Sequence, residues 1–277
     1  MLCDVIGHDD LKYKLKKLSE KPPKVMLFTG PLGVGKKHTA LHFIDEMHNG
    51  YLTSKLFTHP DIHILEPDTK TFKLELVNNL KSNLVTTPFE LSKKYFILNN
   101  IDLMNKESAN ACLKIFEDCP NYVHFILLSK NIEVVLDTVK SRSMAFNFQP
   151  IPNLKDYYPM LSDLEIKLMR GCPGNLPLVK NLKLTLVYDD LLKFISNFEN
   201  LSMDYILEWF SGKEECDLDI LIDLLIICCS DLYKSDNSLE FLTPLLIELK
   251  YLKNKTHLNL NIKMHLKNAL IQAKNKI

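Results

Sequence analysis

The run Gly30-Pro31-Leu32-Gly33-Val34-Gly35-Lys36-Lys37-His38 constrains this chain more than any other stretch. An apolar segment, Val25 to Phe28, precedes it, and a helical-looking segment, Thr39 to Met47, follows. Strand, glycine-rich turn and helix together are the setting of a phosphate loop. The glycines let consecutive backbone N–H groups turn inward onto phosphate oxygens. The helix N-terminus adds partial positive charge, and Lys36 reaches the β- and γ-phosphates. Gly30, Gly33, Gly35, Lys36 and Lys37 are therefore the candidate nucleotide-binding residues. The G-x-x-x-x-G-K pattern is intact, but the next position calls for a Ser or Thr hydroxyl to ligate Mg²⁺ and holds Lys37 instead.

Phosphate-loop hydrolysis also needs acidic residues on a neighbouring strand, one for the metal and one to activate water. The candidate strand, Tyr95 to Leu98, runs into Asn99-Asn100-Ile101-Asp102. Asn99 and Asn100 stand where the acid pair belongs. An amide ligates a hard cation weakly and takes no proton. A Lys37 ammonium about 4 Å from a cation would add repulsion of several kcal/mol at an effective dielectric of about 20. The loop has the shape for phosphate without the means for hydrolysis.

Around this centre, strand and helix patterns alternate. Lys94–Leu98, Tyr122–Leu128 and Met144–Phe148 read as strands, with a short one inside His59–Pro67. Phe72–Leu84, Asn105–Glu117 (Asn105 as N-cap) and Ile132–Val139 read as helices. Alternation of this kind predicts a parallel sheet covered on both faces, hence an α/β domain over 1–150. Prolines and glycines from Pro150 to Pro177 bracket a small helical piece, 151–183. From 184 to 277 only amphipathic helical stretches occur: Leu191–Phe198, Asp204–Phe210, Leu218–Tyr233, Leu239–Lys253 and Asn261–Lys274. These predict an all-α domain.

Composition excludes several classes. Formal net charge is +0, so no global field draws the chain to nucleic acid. The pairs Lys16-Lys17 and Lys93-Lys94 read as solvated faces. Seven cysteines without a C-x-x-C pair or signal peptide read as reduced, mostly buried side chains. The longest apolar run, Leu218 to Cys229, carries Asp219 and Asp223, so no membrane span and a cytoplasmic chain are expected. His59 and His63 are spaced like a metal pair, but Pro60 breaks the helix such a pair needs, and no metal is expected. Only two arginines occur, Arg142 and Arg170, so few positions offer a planar cationic fork.

Further segments carry a family resemblance. They are Val5-Ile6-Gly7-His8, Gly30 to Lys36, His59-Pro60-Asp61-Ile62-His63, Glu66-Pro67, Asn110 to Pro120, Ser141-Arg142-Ser143 and Gly171-Cys172-Pro173-Gly174. In this order they resemble the bacterial clamp-loader subunits of the AAA+ class, most closely the DNA polymerase III delta-prime type. Beyond about residue 175 only Asn261 to Ile271 resembles the family, at the last helix of its collar. The resemblance implies a nucleotide-binding fold, a helical lid and an oligomerising collar. It implies an arginine finger at Arg142, acting in trans on a neighbour's ATP site, and a polar sensor at Ser129. Gly174 falls where an active relative carries a second sensor arginine, and residues 45–70 lack the family's zinc-module cysteines. The implied partners are ATPase and clamp-opening subunits, a sliding clamp, and primed DNA through the complex. The implied function is that of a stator that requires no cofactor of its own. Its loop can hold ATP or ADP without hydrolysis. Two alternatives stay open: an active clamp-loader ATPase whose metal is held by water and Asp102, and a DNA-repair or recombination ATPase on the same core.

Overall fold

The computed structural model describes residues 1–52, 55–67, 72, 74–211, 218–235, 241–255 and 262–275. The chain forms two compact units, Met1–Pro177 and Leu178–Ile277. The first is built on a five-stranded, wholly parallel sheet: β1 (Val25–Thr29), β2 (Ile62–Leu65), β3 (Lys94–Leu98), β4 (Val123–Ser129) and β5 (Met144–Asn147), in the order β2-β3-β4-β1-β5. The central strands are continuous apolar runs because both of their faces are covered. Met26, Phe28, Tyr95, Ile97, Ile126 and Leu128 enter one core. Their alternating neighbours Leu27, Phe96, Leu98, Phe125 and Leu127 enter the other.

Helices α1 (Asp9–Leu18) and α2 (Lys36–Met47) contribute Leu15, Leu41, Phe43 and Ile44 to the first core. Helices α3 (Leu74–Leu84) and α4 (Lys106–Asp118) contribute Val77, Leu80, Ile115 and Phe116 to the second. Asn105 caps α4, its side-chain oxygen accepting from the Ser108 amide at 2.8 Å.

Several local expectations are corrected. Residues 132–139 are not one helix but a single 3-10 turn, Ile132–Val134, and a separate one-turn helix α5 (Asp137–Lys140). Val135 is extended between them (φ −71°, ψ 135°), as β-branched Val134-Val135 disfavours continuing the helix. The loop helix begins at Lys36 rather than Thr39. Phe72 precedes α3 as an isolated bridge to Met104. Lys94 is not a solvated charge. It is 4% exposed, and its ammonium donates to the carbonyls of Asn83 and Thr86 at 2.8 and 3.3 Å, closing the C-terminus of α3. His63 stacks on Phe96, and among the described residues no three ligating side chains gather around a metal position.

The segment after the sheet, α6 (Leu154–Tyr157) and α7 (Asp163–Met169), belongs to the same unit, tied by the Ile151 amide donating to Gly171 at 2.7 Å. The division between units falls inside α8 (Leu176–Asn181). The second unit holds α9 (Leu184–Ser196), α10 (Met203–Ser211), α11 (Leu218–Ser235), α12 (Leu242–Lys255) and α13 (Ile262–Lys274), with no strand among its described residues. Helix α9 starts seven residues before the expected Leu191, because Leu184 and Tyr188 extend the buried stripe of Leu191 and Ile195. Residues 239, 240 and 261, expected at helix starts, lie outside the described residues. Trp209 stacks on Phe194 at 4.1 Å between ring centroids, and Phe198 on Phe241 at 5.2 Å. The Tyr188 hydroxyl donates to Asp231 at 2.6 Å and Lys253 pairs with Asp223 at 2.8 Å, fixing α11 against α9 and α12.

Asp61 is a structural centre of the first unit. Its buried carboxylate accepts from the amides of Phe89, Glu90 and Leu91 at 2.6, 2.8 and 2.9 Å. Burial pushes its pKa up, and the three amides outweigh that and hold it below the ordinary 3.8. A depressed carboxylate pKa means stability present above the unfolded value and lost as pH falls through the folded one. Asp61→Asn should therefore cost about 2–3 kcal/mol in urea unfolding at pH 7. The gap from the unsubstituted chain should close as pH drops below about 4.

Candidate functional site

In a parallel sheet all carboxyl ends meet at one edge, and the loop 30–35 leaves β1 there. Gly35 adopts φ 106°, ψ 8°, a conformation closed to most side chains, and so lets α2 start directly behind the loop. Its carbonyl accepts from the amide and hydroxyl of Thr39 at 2.8 and 2.9 Å. The N–H groups of Lys36, Lys37 and His38 then open the helix without intrahelical acceptors. Gly30 donates its amide to the Ser129 carbonyl at 3.3 Å, anchoring the loop to β4.

Lys36 is 8% exposed. Its ammonium donates to the carbonyls of Gly30 and Pro31 at 2.5 and 2.8 Å, so two of its three donors shape the loop and one is left for a ligand. Burial lowers its pKa from 10.5 to about 8, against the opposing pull of Asp102. His8 contacts the loop through Nε2 at 3.0 Å from the Val34 carbonyl and sets its ring edge against Phe148. The opening Val5–His8 segment is thus brought beside the loop.

The turn Pro173–Asn175 lies directly on the loop. The Gly174 amide donates to the Gly33 carbonyl at 2.8 Å. A Cβ on Gly33, already at φ 77°, would run into the Asn175 side chain, and one on Gly174 would meet the Gly33 backbone at 2.9 Å. Where the resemblance looks for a sensor arginine, two backbones touch, and a longer side chain would force the loop aside.

Lys37 turns towards the ends of β2 and β3. Its ammonium pairs with the Glu66 carboxylate at 2.5 Å, and the Asn99 amide donates to the same oxygen at 3.3 Å. Asn100 takes a left-handed conformation (φ 54°), its amide bonded to the Asn99 side chain at 3.1 Å. Asp102 is occupied in accepting from the Lys130 amide at 3.1 Å. The fold implies Mg²⁺ here, and these residues do not fit it: the position of the ligating hydroxyl holds an ammonium, and that ammonium and an amide claim the nearby carboxylate. Ser129 ends β4 beside Thr29 of β1, but its hydroxyl donates to the Asn131 carbonyl at 3.0 Å within its own turn.

Arg142 is not at this edge. It sits two residues before β5, whose first residue, Met144, pairs with Met26. The stretch of β1 from Met26 to Gly30 spans about 13 Å at ~3.3 Å per residue, so the guanidinium and its own phosphate loop flank opposite ends of the sheet. Its Nε donates to Glu117 at 2.6 Å and Nη1 to the Thr138 carbonyl at 3.3 Å. Glu66 and Glu117 are the site residues that sequence reasoning does not assign. Glu66 becomes visible only once the sheet order sets β2 beside β3.

The family model described as DNA polymerase III, delta subunit, matches residues 8–152. The DNA polymerase III subunit delta' of Bacillus subtilis is 31% identical over 93 residues, covering 34% of this chain and 28% of that protein. The replication factor C small subunit of Haloarcula marismortui is 26% identical over 153 residues, 54% of this chain and 45% of that protein. The chain spans less than half the length of these curated relatives. Among solved structures, a DNA polymerase III gamma subunit-related protein of Thermotoga maritima aligns with a TM-score of 0.57 at 19% identity, covering 95% of this chain and 98% of that one, a likeness of fold.

The buried Lys36 ammonium should be directly observable. Nuclear magnetic resonance of the lysine Nζ groups should show one lysine titrating near pH 8. Lys36→Met should remove that signal alone. A spectrum in which every lysine titrates above 10 contradicts the buried geometry.

Proposed function

The chain belongs to the DNA polymerase III delta-subunit family of AAA+ clamp-loader proteins, and from that premise we propose that it serves as a delta-prime-type stator. In this reading it hydrolyses no ATP itself. It assembles with ATPase subunits, supports opening and loading of a sliding clamp at primed DNA, and lends Arg142 to a neighbour's ATP site.

The observation that carries the reading is the Lys37–Glu66–Asn99 cluster. A site for hydrolysis needs a carboxylate free for metal and another for water. Here Glu66 is neutralised by Lys37, Asp102 is held by a backbone amide, and Asn99 and Asn100 carry no charge. The same cluster disfavours the active-ATPase alternative. Arg142 is exposed and about a full strand length from its own loop, so a γ-phosphate it meets belongs to another subunit. Glu117 holds Nε and the Thr138 carbonyl holds one Nη1 hydrogen, which leaves Nη2 for that phosphate.

The helical unit is the proposed assembly surface. Leu186, Tyr205, Tyr233, Ile247, Tyr251 and Met264 are exposed in it. Apolar groups of this size on a surface suit subunit contacts.

Four outcomes are expected. The isolated chain shows no ATP turnover above that of Lys36→Ala; steady turnover abolished by that substitution removes the stator reading. In the reconstituted complex, Arg142→Ala leaves assembly intact and lowers clamp-stimulated hydrolysis by the share of one site, since a finger is worth about 10³- to 10⁵-fold at the site it serves. Arg142→Lys rescues poorly, because the planar fork is lost. A chain ending at Lys183 no longer co-purifies with the ATPase subunits; full-strength incorporation would reassign the assembly surface.

A further inference from the structure

We propose that the loop Gly30–Lys36 binds a nucleoside diphosphate without any divalent cation, with the Lys37 ammonium standing where the metal would. The misfit between the residues and Mg²⁺ is the starting point. In a phosphate loop the residue after the lysine addresses the β-phosphate side of the ligand through a metal. Here that residue ends in a cation of its own. The Lys37 ammonium, from the first turn of α2, is held by Glu66, with Asn99 sharing the same carboxylate oxygen. Both Lys37 and Glu66 are partly exposed, so the pair can open without disturbing the core.

The rest of the cradle is built. Two Lys36 donors are fixed on Gly30 and Pro31, which aims the buried ammonium into the loop and leaves a third donor for a phosphate oxygen. The first amides of α2 face the same space. Lys36, Lys37 and the helix start supply about 2.5 positive charges against the one negative charge of Glu66, so about 1.5 remain for the ligand, which favours the roughly three negative charges of a diphosphate over a triphosphate's four. A diphosphate oxygen competes with Glu66 for Lys37, and Asn99 remains to hydrogen-bond the released carboxylate. Glu66 is therefore a competitor of the ligand and not a metal ligand. The Gly174 amide on the Gly33 carbonyl holds the loop in shape.

The test is calorimetric titration of the full chain with ADP and with pyrophosphate, in EDTA and in Mg²⁺. ADP should bind in EDTA about as tightly as in Mg²⁺. Lys37→Ser should weaken binding in EDTA about 10- to 100-fold, the worth of one charge-assisted hydrogen bond. Glu66→Gln should tighten it severalfold by removing the competitor. Thermal melts of both variants should match the unsubstituted chain, as neither side chain is buried. Binding seen only with Mg²⁺ overturns the proposal, as does no ADP binding in EDTA at millimolar concentration. An unchanged affinity in Lys37→Ser, or weakened binding in Glu66→Gln, overturns it too. A stator that lends Arg142 needs no nucleotide in its own loop, so failure here leaves the subunit reading to its own tests.

Discussion

The ion pair between Lys37 and Glu66 decides what this nucleotide fold is able to do. A phosphate loop ordinarily combines a backbone cradle with a cation held by acidic side chains. In this chain the cradle persists, with Lys36 buried and bonded to Gly30 and Pro31. The cation-holding half is replaced by an internal salt bridge, and Asn99 completes it. On the stator reading proposed above, the pair leaves hydrolysis without its electrophile and its base.

The sheet sets the phosphate loop and Arg142 apart. Its parallel order puts the loop at the carboxyl edge and Arg142 at the amino edge, beyond the start of β5. Substitutions around Lys37, Asn99 and Gly174 therefore leave the Arg142–Glu117 pair untouched. On the far side of the loop the turn Pro173–Asn175 closes onto it directly, the Gly174 amide donating to the Gly33 carbonyl.

The core of this arrangement is legible in the sequence because it is local. Continuous apolar runs before Gly30, before Asn99 and after Asn121 mark buried parallel strands, and Asn105 marks a helix start that its side chain does cap. What is not legible depends on strand order or on distant partners. Glu66 meets Lys37 across 29 residues of chain, and Arg142 meets Glu117 across 25. Lys94 looks like half of a surface pair, yet its ammonium closes α3 from inside the fold. Residues 132–139 have helical spacing, and only the extended Val135 reveals the break. In the helical unit, Thr185 and Val187 mask the early start of α9, which the buried Leu184 and Tyr188 restore.

In the proposed reading the metal half of the site is gone while the phosphate half remains. Electron paramagnetic resonance of Mn²⁺ titrated into the isolated chain with ADP present tests it most directly, because manganese occupies magnesium positions and its free-ion signal falls on binding. In the unsubstituted chain the free Mn²⁺ signal should equal that of ADP and buffer alone. A stoichiometric loss of that signal, reversed by Glu66→Gln or Lys36→Ala, would place a metal at the loop and contradict it.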